Sequence, residues 1–475
     1  MSNKSEVKSG NYVDEIQNLI TDQRSYYSSG KTRDIRFRKE QLLKLRKLIK
    51  FHEKDINEAL DKDFKKSSFE TYISEIGVLI SEIDHTIRHL RSWARRKRVK
   101  TPILAFPSSS YIITEPYGLV LIIGPWNYPF QLQIAPLIGA LAAGNCAILK
   151  PSEQAPHISR FLTRMINENF DSNYLKVIEG GVEISKSLLE QKFDYIFFTG
   201  GTEVGKIVAA AAAENLTPHT LELGGKSPAI VDQNTDLSLV AKRIVWGKYI
   251  NAGQTCIAPD FIYAHKDIKD ELIRLIGLEI KSAYGDNPFH SPDYPRIINR
   301  QHYERLKALI DPMKLVIGGD TNDDENYIAP TVMDNMTWED PAMADEIFGP
   351  VLPVLVFDEI SEVIKELGLR PKPLALYIFS RDKSLQKTVL NELSFGGGTV
   401  NDTIMHFLNP DLPFGGVGNS GYGSYHGKFN FHTFSHHKPI MYRSNLIDIP
   451  IRYAPYKGKI KLLKWAYKIN RNFWI

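Results

Sequence analysis

Apolar residues recur at Leu42, Leu45, Leu48 and Ile49 inside a densely charged stretch, a spacing that predicts helix over much of 35–100. The pattern then changes. A short segment at 111–114 reads as strand-like, and five consecutive apolar residues at 119–123 read as a strand buried on both faces. That run stops at Gly124-Pro125-Trp126-Asn127. A helix of small residues is expected near 135–143, then a strand at 147–149, a helix at 156–168, a strand near 177–178 and another at 195–198. Strand and helix alternating over about 100 residues predict a doubly wound α/β sheet. A second α/β pattern starts at Ala229-Ile230-Val231 and continues to about 402.

The chain has 475 residues, 43% hydrophobic and 24% charged, an ordinary globular mixture large enough for more than one lobe. Its net charge of +4, from 59 basic and 55 acidic residues, is too small to imply nucleic acid as a partner. Two cysteines cannot build a disulfide framework, so a reducing cytoplasm is expected. Residues 1–26 are polar, without the apolar core of a secretory signal, and no apolar run is long enough to span a bilayer.

Cys256, in Gly253-Gln254-Thr255-Cys256, stands 34 residues after Glu222, in Leu221-Glu222-Leu223-Gly224-Gly225. A thiol framed by glycine and small polar neighbours suits a nucleophile whose reactivity is set by its local pKa; a buried structural cysteine is the plainer alternative. Cys146 lies among small apolar residues and reads as buried and inert. The two cysteines are 110 residues apart and no histidine pair completes a usual ligand spacing, so no metal site is expected. His436-His437 reads as a surface pair.

Gly200, Gly201, Thr202, Glu203, Val204 and Gly205 join a strand to an alanine-rich helix. Free N–H groups at such a helix start suit a pyrophosphate, though any tight strand–helix turn looks similar. A literal GxGxxG occurs at Gly416–Gly421 without a good strand before it or a helix after it, and reads instead as a glycine-rich turn near the active site. Lys150 and Glu153 follow a buried strand, where they could meet ribose hydroxyls or simply flank a helix capped by Ser152. Asn127 could donate to an oxyanion or serve only as a turn residue before Pro129.

After Asp448 the chain carries no acidic residue. Lys457, Lys461, Lys464, Lys468 and Arg471 fall on one side of a helical projection, and Leu462, Trp465, Ala466, Ile469 and Phe473 on the other, with Tyr467 and Trp474 between. This is the pattern of a helix lying on an anionic membrane surface; docking on a partner subunit is the alternative.

Taken in order, Pro125-Trp126-Asn127-Tyr128-Pro129, Lys150-Pro151-Ser152-Glu153, Phe198 to Gly205, Leu221 to Lys226, Gly253 to Cys256, Glu346-Ile347-Phe348-Gly349-Pro350 and Pro413-Phe414-Gly415-Gly416 resemble the aldehyde dehydrogenase superfamily over nearly the whole chain. Tyr425-His426-Gly427-Lys428 and the short N-terminus resemble its class 3 branch, which includes fatty aldehyde dehydrogenases. The resemblance implies an α/β aldehyde dehydrogenase-like fold. It would have a Rossmann-type cofactor domain over 1–222 (interrupted near 100–116 by an oligomerisation strand) and an α/β catalytic domain over 223–402. A return segment with a small β oligomerisation arm would occupy 403–448, and the basic amphipathic tail 449–475.

It further implies that Cys256 attacks an aldehyde to give a thiohemiacetal, with Asn127 and the Cys256 backbone N–H holding the oxyanion. Hydride passes to nicotinamide, and Glu222 activates the water that hydrolyses the resulting thioester. Lys150 and Glu153 would meet the adenosine ribose, Gly200 to Gly205 the pyrophosphate, and Glu346 and Phe348 the nicotinamide ribose. Tyr128, Phe414 and His426 would border the substrate passage. Glu153 would repel a 2′-phosphate if it reaches the ribose, which favours NAD as the cofactor, although the class 3 resemblance implies that NADP is also accommodated. The implied assembly is a homodimer bridged by strands near 105–115 and 430–442. A long-chain apolar aldehyde is the expected substrate, at the cytoplasmic face of a membrane. Carotenoid, terpenoid or aromatic aldehydes, acyl transfer to coenzyme A, and a catalytically inactive membrane-associated binding protein are the competing readings.

Overall fold

The computed structural model describes residues 3–472, with side chains described over 12–468. Three larger sheets organise the described residues, beside a two-stranded one formed by Thr321–Asn322 and Tyr327–Ile328. In the first, Leu119–Ile123 sits centrally, with Cys146–Lys150 and then Leu175–Val177 parallel on one side. Tyr195–Thr199 and then His219–Glu222 lie parallel on the other. The winding therefore reverses between Leu119–Ile123 and Tyr195–Thr199, and the crevice beyond their C-terminal ends is the place where such sheets bind ligands. Every residue of Leu119–Ile123, Cys146–Lys150 and Tyr195–Thr199 is buried, as their continuous apolar runs require. Gly421–Tyr422 returns from far along the chain to close the edge, pairing antiparallel with His219–Glu222.

The second sheet has seven strands, in the order Leu315–Ile317, Thr331–Met333, Val351–Phe357, Phe261–His265, Pro228–Val231, Ala375–Phe379 and Gly397–Val400. All pairs are parallel except the first. The third is an antiparallel arm with Ser108–Pro116 between Lys97–Val99 and Ser435–Arg443.

The stretch 35–100 is three helices, Ile35–Phe51, Glu53–Phe64 and a third from Ser68 to Trp93 interrupted by the π-turn Tyr72–Ile76, and it ends in the Lys97–Val99 strand instead of continuing as helix. Asn3–Ser28, read above only as polar, is also a helix. Ile16, Ile20 and Gln23 bury its one inward stripe, at i, i+4 and i+7. The basic tail forms the helix Ile460–Asn472. Lys457 is not part of that helix: Gly458, at φ 82°, breaks the chain direction before it starts. Phe473 of the expected apolar face, and Trp474 expected between the faces, lie outside the described residues. No described helix is long and apolar enough to cross a membrane.

Candidate active site

Cys256 is delivered by an unusual backbone. The helix Leu237–Tyr249 ends, and Asn251, Ala252 and Gly253 then adopt left-handed φ values of 52°, 52° and 76°. A Cβ on Gly253 would fall 2.3 Å from the Gly349 carbonyl oxygen, so only glycine lets this loop touch the Glu346–Gly349 segment. Left-handed residues without glycine's freedom cost free energy and persist where surrounding contacts over-determine them. Here the contacts are dense. Asn251 Nδ2 donates to the Asn127 carbonyl at 2.8 Å, and Glu70 Oε1 accepts the Asn251 N–H at 2.8 Å. Gln254 Nε2 donates to the Arg296 carbonyl while its Oε1 accepts from the Ile298 N–H. The Tyr128 hydroxyl pairs with Thr255 Oγ1 at 2.7 Å. Asn127, Tyr128 and Cys256 are thus tied into one assembly across more than 120 residues of sequence.

Asn127 is buried, and among the described residues no protein group pairs with its carboxamide. Glu222 ends its strand fully buried, with Oε1 unpaired by protein. A Cβ on Gly415 would lie 3.1 Å from that oxygen, so glycine leaves the carboxyl its space. Burial pushes the Glu222 carboxyl well above the ordinary range. The half-buried Cys256 thiol is also raised, first by burial and then by the charges of Glu346 and Glu222; the Cys256 and Ile257 backbone N–H groups act in the opposite direction. Cys146 is wholly buried and pushed up to about 12 by its apolar surroundings.

A cavity of about 330 Å³ reaches Cys256. Tyr128 and Phe414 line it, as do Trp246, Ile404, Met405 and Phe407. His426 does not: it stacks on Phe414 with ring centroids 5.2 Å apart and lines the neighbouring cavity. The motifs did not reveal Trp246, Met405 or Phe407, because an apolar residue in a helix or loop carries no local sign of facing a cavity and not the core.

The sequence motifs also missed a charged layer beneath the site. Lys66 and Glu75, both fully buried, pair at 2.7 Å. Glu75 Oε2 accepts the N–H groups of Phe130 and Gln131, where the helix Gln131–Ala143 begins, and Lys66 Nζ lies 4.5 Å from the centre of the Tyr128 ring. Removing one member strands a buried charge, so Lys66→Met should cost roughly 3–5 kcal/mol in urea unfolding, and Lys66→Met with Glu75→Leu should cost less. Equal losses would mean that packing, not charge, matters there. Glu70, pushed up to about 7 chiefly by burial, completes this layer.

A second cleft, of about 540 Å³, is lined by Gly201, Thr202, Glu203, Val204, Gly224, Gly225 and Glu346. The helix Thr202–Glu214 begins there with Gly201 at its N-cap and no side-chain cap, leaving its first N–H groups to a ligand. Gly205 packs so closely on Leu223 that a Cβ would be 2.8 Å away. Glu346 is held against Gly224, where a Cβ would clash at 2.1 Å. Its loop is fixed by Lys226, which donates to the Ala342 and Asp345 carbonyls, and by Asp260, which accepts from the Ile347 N–H. Burial, then Asp260, push Glu346 up to about 8. Phe348, at φ 52°, meets Trp126 edge-on. Lys150 and Glu153 stand at the next strand end, outside the lining of this cleft, paired at 3.2 Å; Lys150 also donates to the Pro151 carbonyl. The turn at Gly416–Gly421 runs beside Glu222 through the Gly421 pairing.

The aldehyde dehydrogenase family model matches residues 6–440. The chain belongs to that family. It is 50% identical over 455 residues to the 4,4'-diaponeurosporen-aldehyde dehydrogenase of Staphylococcus aureus (strain NCTC 8325 / PS 47), spanning 95% of this chain and 99% of that one. It is 47% identical over 421 residues to aldehyde dehydrogenase family 3 member A2 of Pongo abelii, spanning 89% and 87% respectively. The solved structure described as the substrate bound state of Staphylococcus aureus AldH superposes with a TM-score of 0.94 at 50% identity, covering 95% of this chain and 99% of that chain. The protein is therefore a class 3-type aldehyde dehydrogenase, an oxidoreductase that uses NAD or NADP. The cleft fits such a dinucleotide: uncapped helix N–H groups, glycines without room for side chains and a buried carboxyl face one space.

Proposed function

We propose that this aldehyde dehydrogenase oxidises long-chain apolar aldehydes to carboxylic acids. The observation that carries the reading is the cavity at Cys256, walled almost wholly by apolar side chains, with Trp246, Met405 and Leu408 still exposed at its rim. A polar substrate would leave its own groups unpaired along such walls.

Cys256 Sγ releases its proton to solvent and attacks the carbonyl carbon, and the carbonyl oxygen becomes the thiohemiacetal oxyanion. The Asn127 carboxamide and the Cys256 N–H donate to that oxygen, a contribution worth about 10²–10³ in rate per donor. Gly201 to Gly205 would hold the pyrophosphate, Glu346 and Phe348 the nicotinamide ribose, and Lys150 with Glu153 the adenosine ribose. When bound, the dinucleotide accepts the hydride. Glu222 then takes a proton from water as the oxygen attacks the thioester, and the acid leaves as Cys256 regains its thiol. Glu222, buried with an unpaired oxygen, favours water over coenzyme A as the acyl acceptor. Tyr425 also turns a fully buried, unpaired hydroxyl toward this region and lines the same cavity.

The staphylococcal relative's name favours a polyene aldehyde as the second reading, and the aromatic walls of Tyr128, Trp246 and Phe407 would suit it. The helix Ile460–Asn472 would rest on an anionic membrane where such substrates reside, and the Ser435–Arg443 edge would pair with a second copy. Dinucleotide reduction across saturated aldehydes of increasing length tests the substrate class. kcat/KM should rise toward long chains, while a preference for short or compact aromatic aldehydes would overturn it.

A further inference from the structure

Between Asp84 and Glu115 the chain carries seven lysines and arginines and no acidic residue. The two bounding acids are engaged elsewhere: Arg46 holds Asp84, and Lys438 holds Glu115. Arg95, Lys97, Arg98 and Lys100 are exposed, and Arg96 packs over the Tyr111 ring at 4.9 Å. Among the described residues none of the seven has an ion-pair partner. A groove runs along this ridge; Lys428 adds to its basic lining, and the His432 and His437 rings, which pair with each other, border it.

The ridge leads to the tip of the antiparallel arm. There the turn Ile103–Ala105 and Phe106 join Lys97–Val99 to Ser108–Pro116, with Ile103 and Phe106 exposed. The chain leaving Ser435–Arg443 is fastened to the same tip, since the Ser444 N–H donates to the Pro107 carbonyl at 2.9 Å. It then presents Leu446, 94% exposed, and Ile447. The helix Ile460–Asn472 packs beside Ile103–Ala105 with Leu462 and Trp465 exposed. Unpaired cations and exposed apolar side chains from two distant parts of the sequence therefore share one end of the molecule.

We propose that the arm tip and its basic ridge, 88–106 with 444–447, form a second docking surface for an anionic lipid bilayer, alongside the tail helix. The proposal rests on the membrane reading of the tail given above. Apolar tip residues enter the interfacial region while the ridge neutralises headgroup charge, the combination that surface-binding segments use. A second copy of the chain is a poorer occupant. A strand added at the Ser435–Arg443 edge leaves Lys97–Val99 at the opposite edge of the arm, so the ridge stays open in such a pair.

Flotation of the full chain with phosphatidylglycerol–phosphatidylcholine vesicles and with pure phosphatidylcholine vesicles tests this. Two full-length variants are compared, one with Arg95, Lys97, Arg98 and Lys100 each changed to Gln and one with Lys461, Lys464 and Lys468 each changed to Gln. Each lost charge should weaken binding to the anionic vesicles about fivefold. The ridge variant should therefore lose more than the tail variant, with added salt weakening the parent and aldehyde turnover in detergent unchanged in both. Undiminished binding by the ridge variant beside a weakened tail variant would overturn the ridge proposal and leave the tail reading standing. No vesicle binding by the parent would overturn both. A ridge variant that altered oligomer size in light scattering, or a parent that preferred duplex DNA to vesicles, would replace the bilayer with a second copy or with nucleic acid.

Discussion

Cys256→Ala should lower steady-state dinucleotide reduction by roughly 10⁴-fold or more, since no neighbouring group can replace the thiol as the atom that bonds to the aldehyde carbon. Cys256→Ser should be nearly as poor, because a hydroxyl here has no adjacent base. The two-cysteine content makes the point checkable without kinetics. Cys146 is fully buried and Cys256 only half-buried, so a small alkylating reagent should add one adduct, on the Cys256 peptide. Burial and the charges of Glu346 and Glu222 raise the thiol, so alkylation should quicken as pH rises above neutrality. Two adducts of equal rate, or full turnover by Cys256→Ala, would remove the nucleophile assignment.

Glu222→Gln should separate the two halves of the reaction. Acyl-enzyme formation does not need the carboxylate, so a first turnover of dinucleotide reduction should survive in rapid-mixing measurements. Hydrolysis does need it, and steady-state turnover should fall by about 10²–10⁴-fold. Because burial holds the parent carboxyl protonated well above the usual range, the base form grows in with rising pH, and turnover should climb through an alkaline limb. The sign for stability is opposite. Between the ordinary carboxylate pKa and the raised one, the folded state holds a proton that the unfolded chain has lost, so rising pH destabilises the fold. Glu222→Gln removes that penalty and should unfold at no lower temperature than the parent in alkaline buffer. Lost turnover with unimpaired stability would distinguish a chemical role from a packing one; unchanged steady-state turnover would dismiss Glu222 as the base.

What could be read from the sequence was whatever is local. The uninterrupted apolar runs at 119–123 and 195–198 predict strands buried on both faces, since a strand covered on one side would alternate. The glycine turns and the order of Asn127, Glu222 and Cys256 carry the chemistry within a few residues of each strand or helix end. Charge, by contrast, misleads. Lys66, Glu70 and Glu75 look like solvated charges until the π-turn directs Glu75 to the N-terminus of the helix 131–143, Lys66 pairs with Glu75 and Glu70 meets the Asn251 N–H. The left-handed run at 251–253 is likewise invisible in composition, because only distant partners at Asn127, Glu70 and Gly349 hold it.

The sequence by itself determined the α/β class, the family resemblance and the candidate reactive groups, because those depend on periodicity and on chemistry carried by single residues. Tertiary structure alone decided which apolar residues wall the cavity, that His426 stacks on Phe414 and lines the neighbouring cavity, and that the arm tip meets the basic tail. Each is a contact between segments far apart in the chain. Such contacts depend on how whole helices and sheets pack, and no residue type announces that in advance.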